Sequence, residues 1–317
     1  MVQELQAQLS KMKQDMDLLE HATEEQARHQ YHQLKAAYDQ LLEKGWARLE
    51  PSDRVFLARQ VGRPNGKAFI LGLCSDFVEF HGDRLSGDDP TVVGGVALFQ
   101  GLPVTVLALC KGENPEEFLH YNYGMASPSG YRKIQRLARQ AEKFNRPILT
   151  FIDTPGAYPG IQAEEQGQGE AIASCISLFS GLTVPVIATV TGEGGSGGAL
   201  ALATANRVLM LENAIYSILS PEGFATILWK DVKRKDEAAK LMGLTAEELY
   251  ENSVVDVVIP EGLGGIRENT DIVMEILADQ IYKNLKALLK LNGSALAKDR
   301  YERFRKLGTF QVRPQPF

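Results

Sequence analysis

Between Val184 and Ala203 the chain reads VPVIATVTGEGGSGGALALA, and no other stretch restricts its fold so tightly. The apolar run from Val184 to Val190 predicts a buried strand of a parallel sheet. Five glycines fall in the seven positions Gly192 to Gly198, and a helix of small residues is expected from about Gly197. Glycine and alanine let backbone approach backbone, or a ligand, at short range. The first N–H groups of a helix point out of its end without partners and can hold a developing negative charge. The stretch therefore predicts a backbone anion site rather than a side-chain nucleophile.

Two shorter patterns overlap it. Gly192, Gly194 and Gly197 satisfy G-x-G-x-x-G, with Glu212 where a ribose-binding acid would stand, but the match comes late in the chain, after several strands. Gly194, Ser196 and Gly198 satisfy the G-x-S-x-G of a nucleophile elbow. That fold needs a histidine after the serine, whereas all five histidines precede Ser196. A Ser–Lys hydrolase stays open because Lys230 and Lys233 lie downstream, as does a glycine-rich turn that merely lets helix and strand pack.

The 317 residues are enough for one large domain with an appendage and a sizeable core. A net charge of −6 argues against nucleic acid as a main partner. No apolar run is long enough for a membrane span, and the first residues read as a polar helix rather than a signal peptide. Cys74, Cys110 and Cys175 are widely spaced and odd in number, which predicts buried thiols in a reducing compartment, with no zinc site and no disulfide framework. A cytoplasmic location is the expectation.

Residues 1–44 carry a heptad seam: Val2, Leu5, Leu9, Met12, Met16 and Leu19, then, after a lapse from Thr23 to Arg28, Tyr31, Leu34, Tyr38 and Leu41. A helical hairpin and a single helix on a partner both fit, with Gly45 as the end. A short helix is expected from Ser52, and a domain boundary near Arg63-Pro64-Asn65-Gly66. Asp76 to Pro90 reads as a loop, followed by strands over 91–99 and 103–110 joined tightly at Gly101, as a hairpin. A helix is expected from 129 or 130 to 144, a strand over 147–152, and one helix over about 163–179. Short strands over 208–211 and 214–218 precede a helix opened by Ser220-Pro221-Glu222. Thr245 and Glu248 form a capping box, residues 254–259 read as a last strand, and a long helix is expected over about 269–291, with a frayed tail from Pro314. Strands alternating with helices make the class α/β.

Three loops end apolar strands: Lys111-Gly112, Asp153 to Gly160, and Gly192 to Gly198. Such loops gather at one edge of an α/β sheet, where ligands bind. Two rigid N–H donors, one at Gly112 and one at Gly194 or Gly195, would suit a charge developing on a carbonyl oxygen. Asp153 either caps the turn that follows or belongs to a nucleotide loop, and the missing phosphate-loop motif disfavours the latter. Glu164 and Glu165 read as a general base or as first-turn acids serving a helix dipole. Arg132, Lys133 and Arg136 form a basic patch, either solvated or facing a phosphate.

Several longer motifs occur together and in order: FIDTPGAYPG (Phe151–Gly160), AEEQGQGEAIA (Ala163–Ala173), GEGGSGGALALA (Gly192–Ala203), SPEG with ILWK (Ser220–Lys230) and IPEGLGG (Ile259–Gly265). GDR (Gly82–Arg84), Lys111-Gly112, YGM (Tyr123–Met125) and GYRK (Gly130–Lys133) fall between them in the same order. Together they resemble the carboxyltransferase α-subunit family of bacterial and plastid acetyl-coenzyme A carboxylase, closely over about residues 49–265. One departure is the acidic segment Glu113 to Leu119, where relatives tend to be more basic.

The resemblance implies a crotonase-like spiral of ββα units spanning residues 63–295, an N-terminal helical segment over 1–62 and a C-terminal tail over 296–317. It implies carboxyl transfer from carboxybiotin on its carrier protein to acetyl-CoA, giving malonyl-CoA, the first step of fatty acid synthesis. Gly194 and Gly195 would polarise the biotin carbonyl, with Gly112 as a second donor by fold analogy. Gly156, Ala157, Tyr158, Gly197 and Gly198 would line the biotin side. No metal is expected on this chain, since the family's zinc ribbon sits on the β subunit. The implied partners are that β subunit, the biotin carboxyl carrier protein and biotin carboxylase, in an α2β2 core. A Ser–Lys peptidase centred on Ser196 and a non-catalytic helical scaffold are the competing readings.

Overall fold

A computed structural model describes residues 1–20 and 25–308. The seam's lapse at Thr23 and the tail from Pro314 lie outside the described residues. The heptad residues form two helices, α1 (Val2–Glu20) and α2 (Glu25–Trp46). They run antiparallel, because Val2, Leu5 and Leu9 at the start of α1 pack on Tyr38, Leu41 and Trp46 near the end of α2. Gly45 does not end α2. It lies inside the helix, where Leu5 fills the space a side chain would need.

The helix α3 (Pro51–Ala58) joins this hairpin to the main body, and α4 (Gly66–Leu73) follows, capped by Asn65. Residues 75–79 then correct the expectation of a loop. They form an edge strand, β1 (Ser75–Glu79), antiparallel to β2 (Val92–Phe99). Its alternation is easily missed, because only Phe77 and Glu79 are half-buried, Phe77 against the core, while Ser75, Asp76 and Val78 are exposed. β2 pairs in turn with β3 (Leu102–Leu109) through a two-residue turn, Gln100-Gly101, with both residues at positive φ as a tight hairpin requires.

Beyond β3 the sheet becomes parallel. The helices α5 (Pro115–His120) and α6 (Pro128–Lys143) lead to β4 (Ile148–Thr154). The single helix expected over 163–179 is two, α7 (Ile161–Glu165) and α8 (Gln168–Gly181), broken where Gly167 turns left-handed. β5 (Val186–Gly195), α9 (Ser196–Ala203), β6 (Arg207–Leu211) and β7 (Ile215–Ser217) follow. Ser220 caps α10 (Pro221–Trp229), accepting from the Gly223 N–H at 3.1 Å. After α11 (Lys235–Leu241), the Thr245–Glu248 box opens α12 (Ala246–Glu251). β8 (Val257–Ile259) and α13 (Ile266–Leu288) come next.

The strand order is β1-β2-β3-β4-β5-β6-β8, with β7 pairing the far end of β5. β5 is central, and all ten of its residues are buried. The stretch expected as a tail from residue 296 is instead helical to Arg305, in α14 (Gly293–Arg305). Asn292 caps it, and Leu296 and Arg300 are buried against the body. The buried Arg300 disguises the helix as polar sequence. Its guanidinium donates to the Leu182 and Val184 carbonyls at 2.8 and 3.1 Å and to Asn206 Oδ1 at 2.7 Å.

Candidate active site

The glycine cluster is not a turn. β5 runs on through Gly192, Gly194 and Gly195, and the chain changes to helix only at Ser196. Bare α-carbons allow this, because β5 is hemmed in on both edges. Gly194 is in register with Thr154 of β4 on one side and Tyr216 of β7 on the other. A β-carbon at Gly195 would stand 2.1 Å from the Pro155 carbonyl oxygen, and one at Gly198 would stand 2.9 Å from the Ala157 nitrogen. The loop Pro155–Ala157 is thus pressed onto the start of α9 at backbone distance.

Ser196 sits at the junction with φ of 53°, an uncommon conformation for a residue with a β-carbon, and its side chain is exposed. Ser196 and Gly197 open onto a cleft of about 620 Å³ walled by Tyr216, Leu219, Phe224 and Phe304. Among the described residues no hydrogen bond joins Ser196 Oγ to Lys230 or Lys233.

The loop after β4 is shaped by its own side chains. Thr154 Oγ1 accepts from the Gly156 N–H at 3.0 Å, and Tyr158 N–H donates to the Ala126 carbonyl at 3.0 Å. Asp153 does not cap this loop. It is buried and reaches across to β5, accepting from the Glu193 N–H at 2.8 Å. Burial pushes its carboxyl above the ordinary carboxylate range, against the pull of Lys111 and that N–H.

Gly112, at φ of 100°, packs on the backbone of Glu117 and Phe118. Its neighbour Lys111 makes the connection to β5, pairing with Glu193. The acidic segment that follows is spent locally. Glu113 Oε1 accepts from the Asn65 N–H and Glu117 Oε2 from the Glu113 N–H, each at 3.0 Å.

A layer of charge beneath the glycines escaped the sequence reading. Arg59 Nε donates to Glu193 Oε1 at 2.6 Å and its Nη1 to Glu222 Oε1 at 2.9 Å. Four residues on, buried Arg63 forms a two-pronged pair with buried Glu261 at 2.6 and 3.1 Å, and donates to the Thr191 carbonyl at 2.6 Å. Burial would push Glu193 and Glu261 up, but Lys111 and Arg59 in one case and Arg63 in the other hold both carboxyls below their ordinary value. The signal was present: Glu193, Glu222 and Glu261 are each flanked by glycine or proline, yet their partners lie far away in the chain.

Two other candidates go elsewhere. Lys133 is buried, donating to Asp88 Oδ1 and the Val92 carbonyl, both at 2.8 Å, while Arg136 donates to the Gly82 carbonyl at 3.0 Å and Arg132 to that of Gln166 at 2.5 Å. The basic patch is therefore consumed in holding loops. Glu164 and Glu165 are exposed.

Comparison with known proteins decides what this arrangement belongs to. The family described as acetyl co-enzyme A carboxylase carboxyltransferase-like matches residues 1–308. A curated acetyl-coenzyme A carboxylase carboxyl transferase subunit alpha from Clostridium botulinum (strain Alaska E43 / Type E3) is 50% identical over 261 residues, covering 82% of this chain and 95% of the relative. Its counterpart from Geobacillus sp. (strain WCH70) is 46% identical over 307 residues, 97% of this chain and 93% of the relative. The chain belongs to this carboxyltransferase family.

Solved structures agree on the fold, which is crotonase-like. The Pseudomonas malonate decarboxylase MdcD-MdcE hetero-dimer superposes with a TM-score of 0.59 at 19% identity, covering 76% of this chain and 98% of that one. Transcarboxylase 12S with hydrolyzed methylmalonyl-coenzyme A bound gives 0.56 at 21% identity, over 72% of this chain and 44% of the longer one. Among the described residues no helix is long and apolar enough to cross a membrane.

Proposed function

We propose that this chain carries one half of the carboxyl-transfer site of an acetyl-CoA carboxylase, moving a carboxyl group from carboxybiotin on a carrier protein to acetyl-CoA. The observation that carries this reading is the contact of Gly195 and Gly198 with the Pro155–Ala157 backbone beside the start of α9. It brings the start of α9, at Ser196 and Gly197, to the mouth of the cleft. The first-turn amides of α9 have no intrahelical acceptors, and held rigidly they stabilise negative charge on a carbonyl oxygen.

Gly194 and Gly195 are assigned to polarising the biotin carbonyl as its carboxylate departs. Gly112 is a second donor across the end of β4. Gly156, Ala157, Tyr158, Gly197 and Gly198 shape the biotin side. Fatty acid synthesis, a zinc-bearing β subunit holding acetyl-CoA, the biotin carboxyl carrier protein, biotin carboxylase, an α2β2 core and a cytoplasmic location belong to the same proposal.

The test is malonyl-CoA-dependent carboxyl transfer to biocytin, run with this chain, with a β subunit from the same source, and with both. Activity only in the mixture is expected. Turnover by this chain alone would sink the split-site assignment. A stable but inactive mixture would redirect it to another acyl-CoA, and methylmalonyl-CoA is the first to try. Ser196→Ala separates the remaining alternative: a Ser–Lys hydrolase loses all activity, whereas the carboxyltransferase keeps most of it.

A further inference from the structure

We propose that Glu193 is the positioning residue of this site, holding the Gly112 turn and the Gly194–Gly195 strand at a fixed separation through Lys111. The proposal rests on the functional reading above. β3 and β5 are not neighbours, because β4 lies between them and no backbone ladder joins them. Gly112 stands three residues past the end of β3, whereas Gly194 and Gly195 close β5. The ladders relate them only by way of β4, and the last β3–β4 pair, Ala108 with Phe151, falls short of Gly112, so a direct link between the two ends needs a side chain. Lys111 makes that crossing to Glu193.

The other side of the same carboxylate is closed by Arg59 Nε at 2.6 Å, and its own N–H is fixed by Asp153 Oδ1 at 2.8 Å. Glu193 is 5% exposed, so both its oxygens and its backbone are held in a dry setting. A buried ion pair seldom stabilises a fold more than an apolar replacement would, so its place here is better explained by geometry than by stability. Arg59 also binds Glu222 at the start of α10, extending the brace to the helix that forms one wall of the cleft.

The experiment uses the α and β chains together, with Glu193→Gln, Lys111→Met, their combination and Lys111→Arg. Each disruptive single change is expected to lower kcat on the order of a hundredfold, the effect of misplacing a catalytic group by about 1 Å, with KM for malonyl-CoA nearly unchanged. The combined variant is expected to be no worse than either single one, and Lys111→Arg to restore most of kcat. Independently of turnover, amide hydrogen exchange is expected to speed up together in the segments around 110–114 and 192–197 of Glu193→Gln, and elsewhere to stay as in the unaltered protein.

Unchanged kcat in an intact complex overturns the proposal, as does a rise in KM at constant kcat, or a loss that follows the unfolded fraction. Should Glu193→Gln not fold, Lys111→Met decides alone, its side chain being partly exposed at a loop. An inactive unaltered pair overturns the functional reading and this proposal with it. An active pair whose variants are unimpaired overturns this proposal only.

Discussion

A β-carbon at position 195 has nowhere to go, since the Pro155 carbonyl would lie at 2.1 Å and is backbone that cannot swing aside. Gly195→Val is therefore expected to abolish biocytin carboxylation, while the exposed Ser196 tolerates alanine with a loss of no more than about threefold, because main-chain donors remain. Thiol chemistry offers a second check. Burial pushes Cys110 up to about 12 and Cys175 further, so both are expected to react with a disulfide reagent at pH 8 only after unfolding in urea. A third concerns Asp83. Burial pushes its carboxyl up, but the N–H groups of Gly87, Leu85 and Ser86 outweigh this and bring it down to about 2. A depressed carboxyl stabilises the fold above its unfolded pKa of about 4 and loses that contribution as pH falls toward 2. Asp83→Asn should thus lower the urea midpoint at pH 7, with the difference closing as pH falls below about 4. The glycines were legible because their density has no cheaper explanation than close approach. Glu193 was not, because its partners sit 134 and 82 residues away and a charged residue in an apolar strand announces nothing about what meets it.

Among the elements, those with local chemistry could be read before any coordinates: the Ser220 cap, the Gly101 hairpin and the Thr245–Glu248 box. The box is the simplest to test. Thr245→Ala removes the acceptor for the Glu248 N–H and the partner of Glu248 Oε2, and is expected to cost about 1 kcal/mol in a thermal melt. The elements that misled share a cause. β1 is a polar edge strand, α14 hides a buried arginine among surface charges, and α7 and α8 divide at a glycine that helical periodicity alone does not mark. In each, tertiary partners outweigh the local pattern. The opposite holds for the α1–α2 hairpin, whose seam is legible while its target is not. The hairpin docks on α3, with the Val2 N–H donating to Asp53 Oδ1 at 2.8 Å and Gln60 Nε2 to Gln6 Oε1 at 2.8 Å.

At the scale of the molecule, one side chain joins the last helix to the entrance of the central strand. Arg300 is 1% exposed, and it serves the Leu182 and Val184 carbonyls and Asn206 Oδ1 together. Arg300→Ala would leave the Leu182 and Val184 carbonyls dry, and a loss on the order of 3 kcal/mol is expected in urea unfolding. The bonds it makes span between 94 and 120 residues of sequence. A nascent chain that has released β1 to β8 from the ribosome still lacks the guanidinium that satisfies the approach to β5. Until α14 has followed, a closed core would bury the Leu182 and Val184 carbonyls without partners, so the approach to this fully buried strand is completed only after every strand of the sheet has been made.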